Sequence, residues 1–295
     1  MLIVSNGIHK NVYGVMLIMN ILVTLNAGYL RQLIVMLYSL LKANPTTTVS
    51  LYVVHTTLTD AHFSQLDRIC PDRLTVHSIP VPGGFLSNAP TTGRYPVEMY
   101  YRIFAARLLP ETVDRVLYLD PDLVVINPLD ALYTLEFEEN LFAAASHISQ
   151  NSKLTLVNDL RLSMPQGSSY VNSGVMMMNL EALRREQNEG EVFDYIETHK
   201  SVLMLPDQDV LNAVYATRIL TVDHLRYNLS ERCFHLYNLR PENWEHPLTL
   251  DWVRQNTAIV HYCGRNKPWK EKYIGSLNRF YLELEQQVKI GGLLS

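Results

Sequence analysis

The chain has 295 residues, 47% of them hydrophobic and 18% charged, enough for a large buried core and too apolar for disorder to dominate. A formal net charge of −4 gives no global attraction to nucleic acid, so no nucleic-acid partner is expected. Three cysteines, Cys70, Cys233 and Cys263, lack any Cys-Xaa-Xaa-Cys spacing, which suits reduced thiols in a cytoplasm and argues against a cysteine-bound zinc.

The apolar run from Tyr13 to Leu25 is too short to span a bilayer, is interrupted by Asn20, and has no small-residue cleavage pattern after it. It predicts a first buried strand from Ile21 to Leu25, with residues 1–18 as an extension outside the domain and Met19 as its natural start. The turn Asn26-Ala27-Gly28-Tyr29 then leads into a helix marked by Leu33, Met36, Leu37 and Leu40. Thr48 to Thr56 reads as a strand, Ala61 to Cys70 as a short helix, and Leu74 to Ile79 as a further strand. This alternation predicts right-handed βαβ units and a mostly parallel sheet, with Arg115 to Leu119 as a later member.

A loop rich in Gly, Pro and Thr fills Val81 to Pro96, and Val97 to Leu109 has helical spacing. Leu141 to Ala145 and Tyr170 to Met178 read as buried strands, with a long polar loop from Ser146 to Ser169 between them. Helices are expected over Glu191 to His199, Asp207 to Ala216 and Leu277 to Val288, and a strand over Thr257 to Tyr262.

Three constellations carry chemistry. Asp120-Pro121-Asp122 closes the strand Arg115 to Leu119; alternate residues of an extended chain point the same way, so both carboxylates can face one hard cation. Taken alone, the same tripeptide is also an ordinary turn. Pro206-Asp207-Gln208-Asp209 puts acids at a helix start, where they complement the dipole, but Gln208 adds an amide able to donate to and accept from a sugar hydroxyl. His261-Tyr262-Cys263-Gly264-Arg265-Asn266-Lys267-Pro268-Trp269 follows an apolar strand. Gly264 permits close backbone approach, Arg265 and Lys267 offer charge to phosphate, and Trp269 offers a flat face. Lys270 and Lys272 fit a solvated surface equally well.

In this order, Tyr101-Arg102, Val116-Leu117-Tyr118-Leu119-Asp120-Pro121-Asp122, Val171-Asn172-Ser173-Gly174-Val175 with Asn179-Leu180, and Asp207-Gln208-Asp209 followed by the histidine block resemble the retaining glycosyltransferases of family eight. That family groups bacterial lipopolysaccharide galactosyl- and glucosyltransferases with glycogenin. The likeness runs from about Met19 to about Lys272. It implies a single GT-A-type, Rossmann-like α/β domain over 19–272, with a mostly parallel mixed sheet flanked by helices, and a C-terminal helix and tail over 273–295.

The resemblance implies that Asp120, Asp122 and His261 hold Mn²⁺ (or Mg²⁺) bridging the diphosphate of a UDP-sugar, with Gly264 and Lys267 on the phosphates. Arg102, Asn172, Asp207 and Gln208 would line the sugar pocket, Asp207 and Gln208 as catalytic groups. Asn26 would sit by the nucleoside. Two departures stand out: Asn26-Ala27-Gly28 replaces the acids of the first loop, which bears on the base, and His147 lies near an expected Asp, which bears on the donor sugar. The implied partners are a nucleotide sugar and a carbohydrate or glycolipid acceptor, in the cytoplasm and with room for peripheral contact with the inner face of the cell membrane. Two other functions fit parts of the pattern. A sugar-nucleotide nucleotidyltransferase would need a Gly-rich phosphate loop, of which Asn26-Ala27-Gly28-Tyr29 is a poor version. A non-catalytic nucleotide-sugar-binding stress protein would differ only in turnover.

Overall fold

A computed structural model of the chain describes residues 8–11, 14–81, 91, 97–147, 153–165 and 168–294. Residues 1–7 and 12–13 of the expected extension lie outside the described residues, as does nearly all of the loop expected between Val81 and Pro96. The strands are β1 (Ile8–Asn11), β2 (Gly14–Leu25), β3 (Thr48–His55), β4 (Leu74–Pro80), β5 (Arg115–Leu119), β6 (Leu123–Val125), β7 (Phe142–Ala145), β8 (Val175–Asn179), β9 (Ile219–Val222) and β10 (Ile259–His261). The main sheet runs β4-β3-β2-β5-β8-β7-β9, with β1 pairing antiparallel to β2. Neighbours from β4 to β5 are parallel, as are β7 and β9, while β8 is antiparallel to both its neighbours. This is the mostly parallel sheet that the alternation predicts, mixed through β8 as the resemblance implies.

Side-chain alternation divides the interior in two. Ile21, Val23, Leu51, Val53, Leu117, Leu119 and Met177 point into one core, and Leu22, Tyr52, Val54, Val116, Tyr118 and Met178 into the other. The first core is covered by the helices Leu30–Ala43 and Asn278–Ile290, which pack on each other. The second is covered by Val97–Phe104, where the expected helical spacing is realised as a 3₁₀ helix, and by the short helices that follow β8. Only Ala105–Leu108 of that segment is α-helical.

Several boundaries differ from expectation. Strand β2 begins at Gly14, well ahead of Ile21, and pairs with β3 from Ile18 onward. Strand β8 begins at Val175, because Tyr170 to Gly174 serve as a loop over the cleft. The segment expected as loop from Ser146 to Ser169 contains a helix, Lys153–Leu162, and residues 148–152 and 166–167 within it lie outside the described residues. Strand β10 joins β6 in a separate antiparallel pair, in which His261 lies opposite Leu123.

Candidate active site

The carboxyl ends of the parallel strands open on a cleft of about 1270 Å³, where ligands of open α/β sheets gather. Asn26, Arg102, Asp120, Asp122, Asn172, Asp207, Gln208, His261, Gly264 and Lys267 all line it, so the ten candidate site residues meet in one place, whereas Asp209 and Lys272 do not line it. The ten arrive by different routes.

Asp120 continues the face of β5 that carries Tyr118, whose hydroxyl donates to Asp120 Oδ1 at 2.7 Å. Pro121 and Asp122 form a turn, not an extension of the strand, and the chain then enters β6. The register of β6 with β10 delivers His261 beside that turn, and the N–H of Tyr262 donates to the Asp122 carbonyl at 3.0 Å. Donor atoms of Asp120, Asp122 and His261 lie within 4.8 Å of one another, a spacing that ion–ligand bonds of roughly 2–2.5 Å can bridge. Two carboxylates and an imidazole form a donor set that could hold a divalent cation.

Gly174 makes room for this cluster: a Cβ there would collide with the His261 ring and lie 2.5 Å from Asp120 Oδ2. The imidazole is oriented from behind by Asn228 Oδ1, 2.9 Å from Nδ1, which leaves Nε2 facing Asp122 Oδ1 at 3.1 Å. Asn228 Nδ2 in turn donates to Asn172 Oδ1 at 3.0 Å.

Two cations neutralise the carboxylates. Lys267 binds Asp122 and also donates to the Tyr262 carbonyl at 2.9 Å, with its ammonium 5.6 Å from the Trp269 ring centroid. Burial opposes ionisation of Asp122, yet Lys267 and then His261 outweigh it and hold its carboxyl well below the usual range. Arg102 lies between Asp120 Oδ1 at 3.1 Å and Asp207 Oδ2 at 3.2 Å, over the Tyr118 ring. Burial works against its charge as well, and the carboxylates, Asp120 foremost, raise its pKa above the ordinary value.

The helix Pro206–Val214 begins with Asp207 and Gln208, both buried. Gln208 Oε1 accepts from Asn172 Nδ2 at 3.0 Å and from the Ser173 N–H at 3.3 Å, and Ser173 Oγ donates to Asp207 Oδ2 at 3.2 Å. Burial, opposed by Arg102, pushes the Asp207 carboxyl up. Asn26 caps the 3₁₀ turn Ala27–Tyr29 by accepting the Gly28 N–H at 3.0 Å. Gly264 sits at φ 88° with open space where a side chain would project. His147 donates through Nε2 to the Asn228 carbonyl at 2.6 Å and so belongs to the shell behind His261.

Tyr118 and Ser173, which the motifs contain but give no role of their own, and Asn228 are further members of this contact network. Tyr118 was recoverable from period two, since it precedes Asp120 by two residues on the same face. Asn228 heads an Asn-Leu-Ser tripeptide that fits a glycosylation acceptor, a match that hides its place behind the histidine.

The fold matches the solved galactosyltransferase LgtC with a TM-score of 0.78 and 22% identity, over 94% of this chain and 100% of that one. It matches glycosyltransferase GlyE of Streptococcus pneumoniae TIGR4 with a TM-score of 0.68 and 19% identity, over 90% of this chain and 60% of that one. The fold is thus of the GT-A type. A family model described as Glycosyl transferase family 8 matches residues 20–273, and the chain belongs to that family. Among curated relatives it is 30% identical to General stress protein A of Bacillus subtilis (strain 168) over 173 residues, 58% of each chain. To Lipopolysaccharide 1,2-glucosyltransferase of Escherichia coli (strain K12) it is 25% identical over 269 residues, 89% of this chain and 76% of that one.

Proposed function

We propose that the protein is a metal-dependent retaining hexosyltransferase that moves galactose or glucose from a UDP-sugar to a glycan or glycolipid acceptor. The observation that carries this reading is the Asp120–Asp122–His261 cluster with Lys267 beside it, facing the buried Asp207–Gln208 pair across one cleft. A divalent ion held by the three ligands would supply Lewis-acid neutralisation of the charge that grows on the leaving diphosphate. Lys267 adds a cation at the same end, and Gly264 allows the backbone to approach the phosphates.

At the other end, Gln208 and Asp207 meet the hexose, with Arg102 holding Asp207 in place. An amide is a poor nucleophile, so we favour a front-face departure in which Gln208 and Asp207 support an oxocarbenium-like centre electrostatically, in contrast to the carboxylate nucleophile of retaining hydrolases. The lipopolysaccharide glucosyltransferase among the relatives supports a cell-surface glycan acceptor. Unpaired thiols favour a cytoplasmic site, peripheral to the inner face of the membrane; among the described residues no helix is long and apolar enough to cross one.

Calorimetric titration of UDP tests the reading. Binding should appear with Mn²⁺ and be lost in chelator and in Asp122→Ala, because the first removes the cation that would join the diphosphate to the site and the second removes one of that cation's ligands. Equal UDP affinity in chelator and in Asp122→Ala would remove the metal bridge. NMR of the hexose first released from an α-linked donor should show the α-anomer, and a β-anomer would overturn retention.

A further inference from the structure

Asp209 follows Gln208 directly and is completely buried. Its carboxylate receives both terminal nitrogens of Arg161, Nη1 at 2.7 Å and Nη2 at 2.9 Å, a bidentate pair. It also accepts the Tyr170 hydroxyl at 2.5 Å and the N–H groups of Met204 at 2.6 Å and Leu205 at 3.0 Å. Tyr170 also begins the loop whose Asn172 Nδ2 and Ser173 N–H both donate to Gln208 Oε1. One turn further along, Asn212 clamps Val171 from both sides, accepting its N–H at 2.7 Å and donating to its carbonyl at 2.8 Å. The loop that presses Asn172 and Ser173 onto Gln208 is thus moulded on the first turns of the helix Pro206–Val214.

Arg161 comes from elsewhere, the helix Lys153–Leu162. That helix is tied down by Leu162 and Met164, which pack with Tyr170 in a small apolar cluster separate from the two main cores. A buried carboxylate that loses its cation is left with an uncompensated charge, and its remaining donors must rearrange around it. Tyr170 is the donor that begins the loop committed, through Asn172 and Ser173, to Gln208.

We propose that Arg161 is a positioning residue for the reaction: by neutralising Asp209 it fixes Tyr170 and the loop over residues 170–174, and through them the orientation of the Gln208 amide. This rests on the transferase reading for its kinetic consequence. The physical linkage stands on contacts far along the chain from the metal ligands, so it can be tested without turnover.

The experiment compares the full chain with Arg161→Met, Arg161→Lys, Gln208→Ala and the double variant Arg161→Met/Gln208→Ala, using UDP-hexose hydrolysis, UDP titration with Mn²⁺, and hydrogen exchange. For Arg161→Met, UDP affinity and donor KM should stay within about twofold while kcat falls roughly tenfold to a hundredfold, the scale of a small misplacement of a reacting group. Arg161→Lys should recover part of that loss. The double variant should be no slower than Gln208→Ala alone, since residues acting through one another do not add. Amides of residues 168–174 should exchange faster in Arg161→Met while those of residues 115–125 keep their protection. An unchanged kcat, losses that multiply, or unaltered exchange over 168–174 would overturn the proposal. If Arg161→Met does not fold, Tyr170→Phe cuts the same relay while sparing the ion pair, and the same non-additivity with Gln208→Ala is required of it. A wild-type chain without metal-dependent UDP binding or turnover would defeat the transferase reading instead, with the exchange comparison still deciding the linkage.

Discussion

The absence of a single methyl group at residue 174 keeps the site open. Its backbone carbonyl accepts the Asp120 N–H at 2.8 Å, so Gly174 cannot move aside without dragging the acid with it. Gly174→Ala is therefore expected to leave the fold intact and to weaken divalent-ion binding roughly 10- to 100-fold, the range for changes just behind metal ligands. Titration of Mn²⁺ against the variant checks this, and wild-type affinity would show that His261 and Asp120 can yield. Side chains with charge or ring chemistry, such as Asp120, Asp122, Gln208 and His261, were legible because their types are rare at the ends of apolar runs. The pairing of Arg161 with Asp209 was not, because a surface-like arginine in a polar stretch carries no sign of the buried carboxylate it meets 48 residues later. Asp209 itself read as an ordinary first-turn acid.

At the scale of elements, the short sheet of β6 and β10 depends on a neighbour. Ser39, fully buried in the helix Leu30–Ala43, donates to the Met36 carbonyl at 2.6 Å and accepts the Val125 N–H at 2.9 Å, closing an edge of β6. Ser39→Ala would strand that N–H and should cost about 1–3 kcal/mol in a denaturant unfolding experiment. A loss near zero would mean that the strand re-pairs. Buried strands such as β2, β3 and β5 were evident from runs of β-branched and apolar residues. Strand β9 escaped notice because most of its residues are only half-buried, and Lys153–Leu162 because its polar composition gives no apolar stripe. The helices Glu231–Asn238 and Leu250–Asn256 were missed for a similar reason, each keeping only one or two residues buried. Tyr170 to Gly174 has strand-like residues, but side chains of the helix Pro206–Val214 claim its backbone first.

For the molecule as a whole, His147 is one expected source of acid sensitivity. Burial foremost, opposed by its hydrogen bond to the Asn228 carbonyl, lowers its pKa from 6.5 to about 4. In the unfolded chain it would take up a proton near the ordinary value, so the unfolded state binds more protons between these two values. Stability is therefore present above pH 6.5 and is lost progressively as pH falls toward 4. His147→Gln should flatten that decline in unfolding curves measured from pH 7 to 4, and parallel declines would exclude His147 as a source. The juncture that His147 buttresses has a further meaning for the chain as a polymer. His261 and Asp122 stand 139 residues apart in sequence, yet their side chains touch. An ion held by both would close a loop containing nearly half the protein, acting as a reversible cross-link whose worth grows with the freedom it removes from the unfolded coil. Occupancy of the site would then be recorded twice, once as affinity for the donor and once as resistance of the entire fold to opening.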